Sequence, residues 1–320
     1  MQRRGPEVYR PTTEFEPIPK YPVIVTGAAS GTGLEIVRAL SRQGFVVGIG
    51  TRSEEKYQHV VSMLEIGSPQ FSFHADLADP AGVKQAVRRV KGQFGIDRVH
   101  VVHAAAAGLP KRRELLAPLI DMRRQDVITQ ERVGETKRKI AAVLDEPDVW
   151  NEAFDVNFHG PVTLVSTLAE NGLLARGSLL VTLSSIWSDN WLTRDSHFPT
   201  MYDGPEIYRN VAQSKSAFVD ITKHAAEGYG FFFIDVVIPE IEGTDVGDFV
   251  EKNMLPLVQK ANPDRAVSFP KVSKARVAQA LSALFQGDLP NRNVQRLYVT
   301  EQGVQLQKPQ EWNQKLHYPF

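Results

Sequence analysis

The stretch YRNVAQSK, residues 208–215, carries a phenol and an ammonium seven positions apart. Seven residues are very nearly two helical turns, so on a helix over 208–228 Tyr208 and Lys215 share a face, about 10 Å apart along the axis. Phenols and amines are among the groups that transfer protons in enzyme sites. Two readings stand: a pair serving one bound molecule, or a solvated lysine beside a packing aromatic. Ser184 and Ser185 end the apolar run SLLVTLSS (178–185), and Asn157 lies in FDVNFHGPV (154–162). Each could instead be structural, Ser185 as a strand-end hydroxyl and Asn157 as a cap or bridge. Tyr202, Asp195 and His197, within 186–207, are further acid–base candidates, with ordinary loop polarity the alternative.

A second constellation is TGAASGTG, residues 26–33. It follows the apolar run YPVIVTG (21–27) and precedes Leu34, Ile36, Val37 and Leu40, which mark one face of a helix over 33–43. In that setting Gly27 permits a tight turn, Gly31 lets the backbone approach a pyrophosphate, and Gly33 lets helix and strand pack closely. The helix N-terminus then offers free N–H groups to phosphate charge. The second strand ends in GTRSEEK (50–56) rather than in an acidic residue that would bind the ribose diol of NADH. Arg52 could pair with a 2′-phosphate through its planar fork of donors, with Thr51 and Ser53 adding hydroxyls, which favours NADPH over NADH. The alternative is that Arg52 starts a helix with its charge in solvent.

The elements that must position these groups alternate along the chain. Strands are expected at 21–27, 44–50, 70–77, 97–106, 178–185, 231–240 and 294–300, with helices at 80–93, 148–170, 208–228 and 273–286. Continuous apolar strands alternating with helices imply a parallel sheet covered on both faces. The expected fold class is α/β, a doubly wound, Rossmann-like parallel sheet with its ligand crevice at the carboxyl ends of the strands. A single domain over 21–300 would carry two insertions, 109–147 as one or two amphipathic helices and 186–207 with two tryptophans. Residues 1–20 read as an N-terminal arm and 301–320 as a tail. The 320 residues include 37 basic and 37 acidic side chains, so no net field draws the chain to nucleic acid or anionic lipid. No apolar run is long enough to span a bilayer, and no signal peptide is visible, so a cytoplasmic protein is expected. The absence of cysteine excludes thiolate catalysis and cysteine-ligated metals. The histidines show no ligand spacing, and no metal site is expected.

The motifs together resemble the short-chain dehydrogenase/reductase family. TGxxxGxG is similar to its nucleotide-binding signature, HADLAD (74–79) to its acidic turn with Asp76 at the adenine ring, and VVHAAAAG (101–108) to its NNAG segment, with Ala104 at the cofactor. FDVNFHGPV resembles the helix bearing its catalytic asparagine, VTLSSIWS (181–188) its serine strand, SKSAFVDITKHAAEGYG (214–230) its active-site helix, and IPEIEGT (238–244) its PGxxxT loop. The resemblance covers roughly 21–300. It implies that Ser30, Thr32, Pro239, Ile241 and Thr244 join Gly27, Gly31, Gly33, Arg52, Asp76 and Ala104 at the cofactor. It further implies that Tyr donates a proton, that Lys215 holds the nicotinamide ribose and lowers the phenol's pKa, that Ser185 bonds the substrate oxygen, and that Asn157 helps order a proton-relaying water.

The family's usual spacing of four would place the tyrosine at Val211, which cannot transfer a proton. The Y-x6-K spacing resembles instead the enoyl-acyl-carrier-protein reductases of the same superfamily. Their hydride goes to a β carbon, so the oxygen to be protonated lies further from the nicotinamide. Other departures are His103 in the NNAG segment and Glu240 after Pro239. The expected protein is an NADPH-dependent oxidoreductase reducing a conjugated or simple carbonyl on an apolar small molecule. Trp187, Trp191, Phe198 and 244–262 would line the substrate side. The resemblance implies a homo-oligomer packed through 148–170 and 208–228, unless the 109–147 insertion blocks that face. The alternative is a repurposed scaffold that binds nucleotide as a sensor, partner-binding protein or non-redox catalyst. Neither nucleic acid nor membrane is an expected partner.

Overall fold

The structure, a computed structural model, describes residues 18–107, 113–188, 205–264, 266–287 and 294–306. Seven parallel strands and one antiparallel strand form the main sheet, in the order β10-β9-β6-β5-β4-β1-β2-β3. These are β1 Val23–Thr26, β2 Val47–Thr51, β3 Gln70–His74, β4 His100–His103, β5 Leu179–Ser185, β6 Phe232–Ile238, β9 Val294–Val299 and β10 Val304–Gln305, while β7 Glu240–Glu242 and β8 Lys271–Ser273 pair separately. The order reverses between β1 and β4, the switch point at which such sheets open a crevice.

The seven expected strands all form, six of them within the expected bounds and the second shifted to Val47–Thr51, and the expected doubly wound parallel sheet is the fold. The period of two explains how both faces are buried. In β5, Leu179, Val181 and Leu183 pack into one core cluster and Leu180 into the other. Against the first face lie α1 (Gly31–Arg42) and α11 (Lys274–Gln286), and against the second α3 (Pro80–Phe94), α7 (Gly160–Glu170) and α8 (Arg209–Tyr229). Helix starts follow local chemistry. Asp79 accepts the Ala81 N–H at 3.0 Å with Pro80 in the first turn, and Ser273 accepts the Arg276 N–H at 3.2 Å.

A third apolar cluster sits over the carboxyl ends of the strands. The charged insertion supplies part of it as α4 (Arg113–Arg123) and α5 (Gln130–Leu144), burying Leu115, Leu119, Ile140 and Leu144. Helices α9 (Asp245–Phe249) and α10 (Leu255–Ala261), joined by a π-helical turn at Val250–Met254, bring in Val250, Met254, Leu257 and Val258. The insertion grips the entry to α8, where Asn210 Nδ2 donates to Leu144 O at 2.8 Å and Arg209 pairs with Asp145 at 2.5 Å. Two further helices among the described residues are α2 (Glu54–Val61) and α6 (Pro147–Phe154).

The expected helix at 148–170 is interrupted by a π-helical turn, Asp155–His159. At the N-terminal side Ile18 is buried and its N–H donates to Gly287 O at 3.3 Å, so packing begins before residue 20. His100 Nε2 lies 2.7 Å from Pro19 O, while its Nδ1 accepts the Leu179 N–H at 2.9 Å. That pattern needs the neutral imidazole with its proton on Nε2, and burial holds the pKa down, to about 4. Among the described residues no helix is long and apolar enough to cross a membrane, and no group of side chains suits a metal ion. Trp191, Asp195, His197, Phe198 and Tyr202 lie outside the described residues, as do 1–17 and 307–320 of the arm and tail.

Candidate active site

A crevice of about 620 Å³ runs across the carboxyl ends of the central strands. Thr26, Gly27, Ser30, Thr32 and Gly33 form its floor. Gly31 holds φ 57°, and a Cβ there would meet nothing within 4 Å, so the turn has an open outer side. Gly33 is different, since a Cβ would lie 2.2 Å from Gly27 O, and only glycine lets α1 seat on the turn. The Ser30 side chain does not cap α1, and the first turn contains no acidic residue. The positive end of the helix dipole therefore meets the crevice without a competing carboxylate. An open turn, close helix seating and an uncapped N-terminus fit the pyrophosphate of a dinucleotide.

Arg52, Lys56 and Asp76 line one end. Arg52 is exposed, two residues before α2, whose N-cap Ser53 accepts the Lys56 N–H at 3.4 Å. Arg52 thus both precedes a helix and edges the crevice. Asp76 Oδ1 accepts the Ala78 N–H at 3.0 Å, which fixes its turn.

Ser185, Tyr208, Val211, Lys215 and Glu240 line the other end, with Ala104, Pro239, Ile241 and Thr244 beside them. Tyr208 is not within α8. It closes a short 3-10 turn, Glu206–Tyr208, and caps α8 with φ −99° and ψ 0°. The chain enters α8 directly, so Tyr208 and Lys215 still reach one crevice. Tyr208 is 3% exposed, and its ring stacks on Trp187 with centroids 6.1 Å apart. Lys215 Nζ donates to Leu183 O at 2.9 Å. Desolvation lowers its pKa to about 8, partly opposed by Asp235.

The adjacent serines differ. Ser184 is buried and its hydroxyl donates to Asp235 Oδ1, whose other oxygen accepts from Arg296 Nε at 2.8 Å. Ser185 Oγ accepts the Trp187 N–H at 3.3 Å and remains on the crevice wall. Asn157 stands behind the crevice, on the π-helical turn. Its Oδ1 accepts the Ala107 N–H, and its Nδ2 donates to Ala107 O, both at 2.9 Å, and to Ser214 Oγ at 3.1 Å. It ties the segment after β4 to α8. His103, buried at the end of β4, lies 2.9 Å through Nδ1 from Thr26 Oγ1. Burial first, then the Lys215 charge, push its pKa down to about 3, so it is neutral.

The sequence marked Glu240 only as a replacement for glycine. The structure buries it to 7% exposure, with Trp187 Nε1 donating to Oε1 at 3.4 Å. Burial raises its pKa to about 7, against the opposing pull of that hydrogen bond and of Lys271. The Ser184–Asp235–Arg296 cluster was not anticipated either. An acidic residue inside the apolar FFFIDVVIPE (231–240) was its only sequence signal.

A sequence model described as short chain dehydrogenase matches residues 22–197. The chain is similar to (+)-neomenthol dehydrogenase of Arabidopsis thaliana, 29% identical over 178 residues, covering 53% of this chain and 55% of that protein. It is also similar to (-)-isopiperitenone reductase of Mentha piperita, 32% identical over 91 residues, covering 27% and 29%. The chain therefore spans about half the length, or less, of these curated relatives. Among solved structures, 3-oxoacyl-[acyl-carrier protein] reductase from Brucella melitensis superposes with a TM-score of 0.59 at 18% identity, covering 94% of this chain and 98% of that one. With the fold, the glycine turn and the match over more than half its length, the chain belongs to the short chain dehydrogenase family.

Proposed function

We propose that the protein is an NADPH-dependent oxidoreductase that reduces a conjugated or simple carbonyl on an apolar small molecule. One observation carries the reading: the glycine turn, Lys215, Ser185 and Tyr208 line a single crevice. The floor would hold the pyrophosphate and Arg52 the 2′-phosphate, with Asp76, Ala104, Pro239, Ile241 and Thr244 along the cofactor's length. When bound, the nicotinamide supplies or accepts hydride.

The chain's own residues do the rest. Lys215, steadied by Leu183 O, presents its ammonium to the nicotinamide ribose. Ser185 orients the substrate oxygen, and Tyr208 supplies the proton to an oxygen one turn further from Lys215 than Val211 would allow. Asn157 acts by holding the Ala107 segment against α8. Trp187 and the apolar roof exclude water and favour an apolar substrate. The names of the relatives, a neomenthol dehydrogenase and an isopiperitenone reductase, support redox chemistry on a small molecule. Trp150 and Phe154, stacked at 4.1 Å and only partly buried, support a homo-oligomer packed through that helical face.

The test is NADPH consumption with a panel of enones and ketones. Turnover should fall at least 100-fold in Tyr208→Phe and in Lys215→Ala. Tight NADPH binding with no turnover across the panel would favour a nucleotide-binding scaffold without redox chemistry, the reading that Val211 supports.

A further inference from the structure

Glu240 has a position that the proton-transfer scheme above does not use. It follows Pro239 at the start of β7, and it lines both the main crevice and a second cavity of about 220 Å³. The second cavity is edged by Glu242, Asp248, Glu251 and Lys271. Glu240 thus lies between the crevice and a charged compartment.

The charged and titratable groups around it come from several elements. Lys271 is its pairing partner on β8 and is itself bridged to Glu251 at 3.0 Å. Trp187 Nε1 donates to it, and Tyr208 and Lys215 share its end of the crevice. A dinucleotide whose pyrophosphate rests on the glycine turn and whose adenosine lies toward Arg52 must extend its nicotinamide half toward this end. The oxidised nicotinamide ring is a cation and the reduced ring is neutral. A carboxylate lining that end attracts only the first.

Building on the dinucleotide reading, we propose that Glu240 makes the crevice discriminate between the redox forms of the cofactor, holding the oxidised form more tightly once its carboxyl has lost its proton. Linkage then requires NADP+ binding to release a proton that NADPH binding does not. Burial already places the ionisation of Glu240 near neutrality, so the effect falls within an accessible pH range. The 2′-phosphate is common to both forms and cancels in their affinity ratio. Lys215 would move the ratio in the same direction, so the variant must isolate Glu240.

The experiment is titration of the full chain with NADP+ and with NADPH between pH 6 and 8.5, read by tryptophan fluorescence. For the wild type, the NADP+ to NADPH affinity ratio should rise about fivefold across that range, the share above pH 6 of the tenfold that a one-unit fall in the carboxyl's pKa on binding NADP+ gives. In Glu240→Gln the ratio should change less than threefold. Calorimetry on the wild type at pH 7, in two buffers of different ionisation enthalpy, should show proton release with NADP+ and little with NADPH. This arm does not depend on the variant folding. A flat wild-type ratio, equal proton release with both forms, or an unchanged slope in Glu240→Gln overturns the assignment of selectivity to Glu240. If neither nucleotide binds, it is the dinucleotide reading itself that fails, and the selectivity with it.

Discussion

Asp235 is the buried charge that links β5, β6 and β9 beside the crevice, and replacing it with asparagine should be costly. The side chain is 3% exposed, accepts the Ser184 hydroxyl, and meets Arg296 through both Nε and Nη2 at 2.8 Å. Taking the charge from one member of such a buried pair leaves the other desolvated without its counter-ion, at about 3–5 kcal/mol when the partner is deleted outright. Asparagine keeps the shape and one acceptor, so about 3 kcal/mol is expected for Asp235→Asn. With about 2 cal/mol/K of unfolding entropy per residue, that corresponds to a fall of about 4–5 °C in Tm. The second consequence is electrostatic. Asp235 raises the Lys215 pKa against desolvation, so its neutralisation should move half-titration of the Lys215 amine below about 8. Urea unfolding measures the first effect, and the pH dependence of amine acylation at Lys215 measures the second. A double-mutant cycle with Arg296→Met should give a coupling of about 2 kcal/mol or more. A cost below 1 kcal/mol with additive double-mutant behaviour would refute the claim that this pair anchors β5, β6 and β9. An unmoved Lys215 titration would refute the link to the site.

Three further outcomes follow from single residues. His100 has a folded pKa of about 4, below the ordinary 6.5, so the unfolded chain takes up the proton first. Its contribution is present above pH 6.5 and is lost as pH falls through 4, at most about 3 kcal/mol. Urea midpoints should drop over that window and drop less in His100→Gln. Gly33→Val places side-chain carbon where Gly27 O already lies at 2.2 Å from a Cβ. Dinucleotide affinity should fall at least tenfold by fluorescence titration, with lowered Tm. Arg52→Ala should weaken NADPH about 10- to 100-fold, the range for a charge-assisted contact, while changing NADH less than threefold. Equal losses for both nucleotides would remove Arg52 from the 2′-phosphate.

The central strands were legible because each is a short, largely apolar run buried on both faces, as VIVT in β1 and LLVTLSS in β5 show. The glycine turn was legible because steric need leaves a residue-level mark: position 33 admits nothing larger. Elements set by tertiary contact were not. The short β7–β8 pair and the antiparallel β10 depend on where the chain returns, not on periodicity. The π-helical turn that aims Asn157 has no pattern of its own. Helix α2 was legible only as the alternative for Arg52, because EEKYQHVV buries only Val60 and shows no strong apolar period. Tyr208 shows the limit most clearly. Its seven-residue separation from Lys215 suggested a shared helix face, yet it reaches the crevice from the 3-10 turn that leads into α8. Burial, not residue type, is what sets Glu240 apart, and one sequence does not reveal burial on a three-residue strand whose pairing is set by tertiary contact.

A crystal structure of the chain with NADPH bound tests the central claim most directly. The account predicts the pyrophosphate on the Gly27–Gly33 turn, Lys215 Nζ within about 3 Å of a nicotinamide-ribose oxygen, and the Tyr208 hydroxyl facing the space above the reduced ring. A nucleotide bound elsewhere, or a Tyr208 hydroxyl turned away from the crevice with Lys215 still bound only to Leu183, would contradict it.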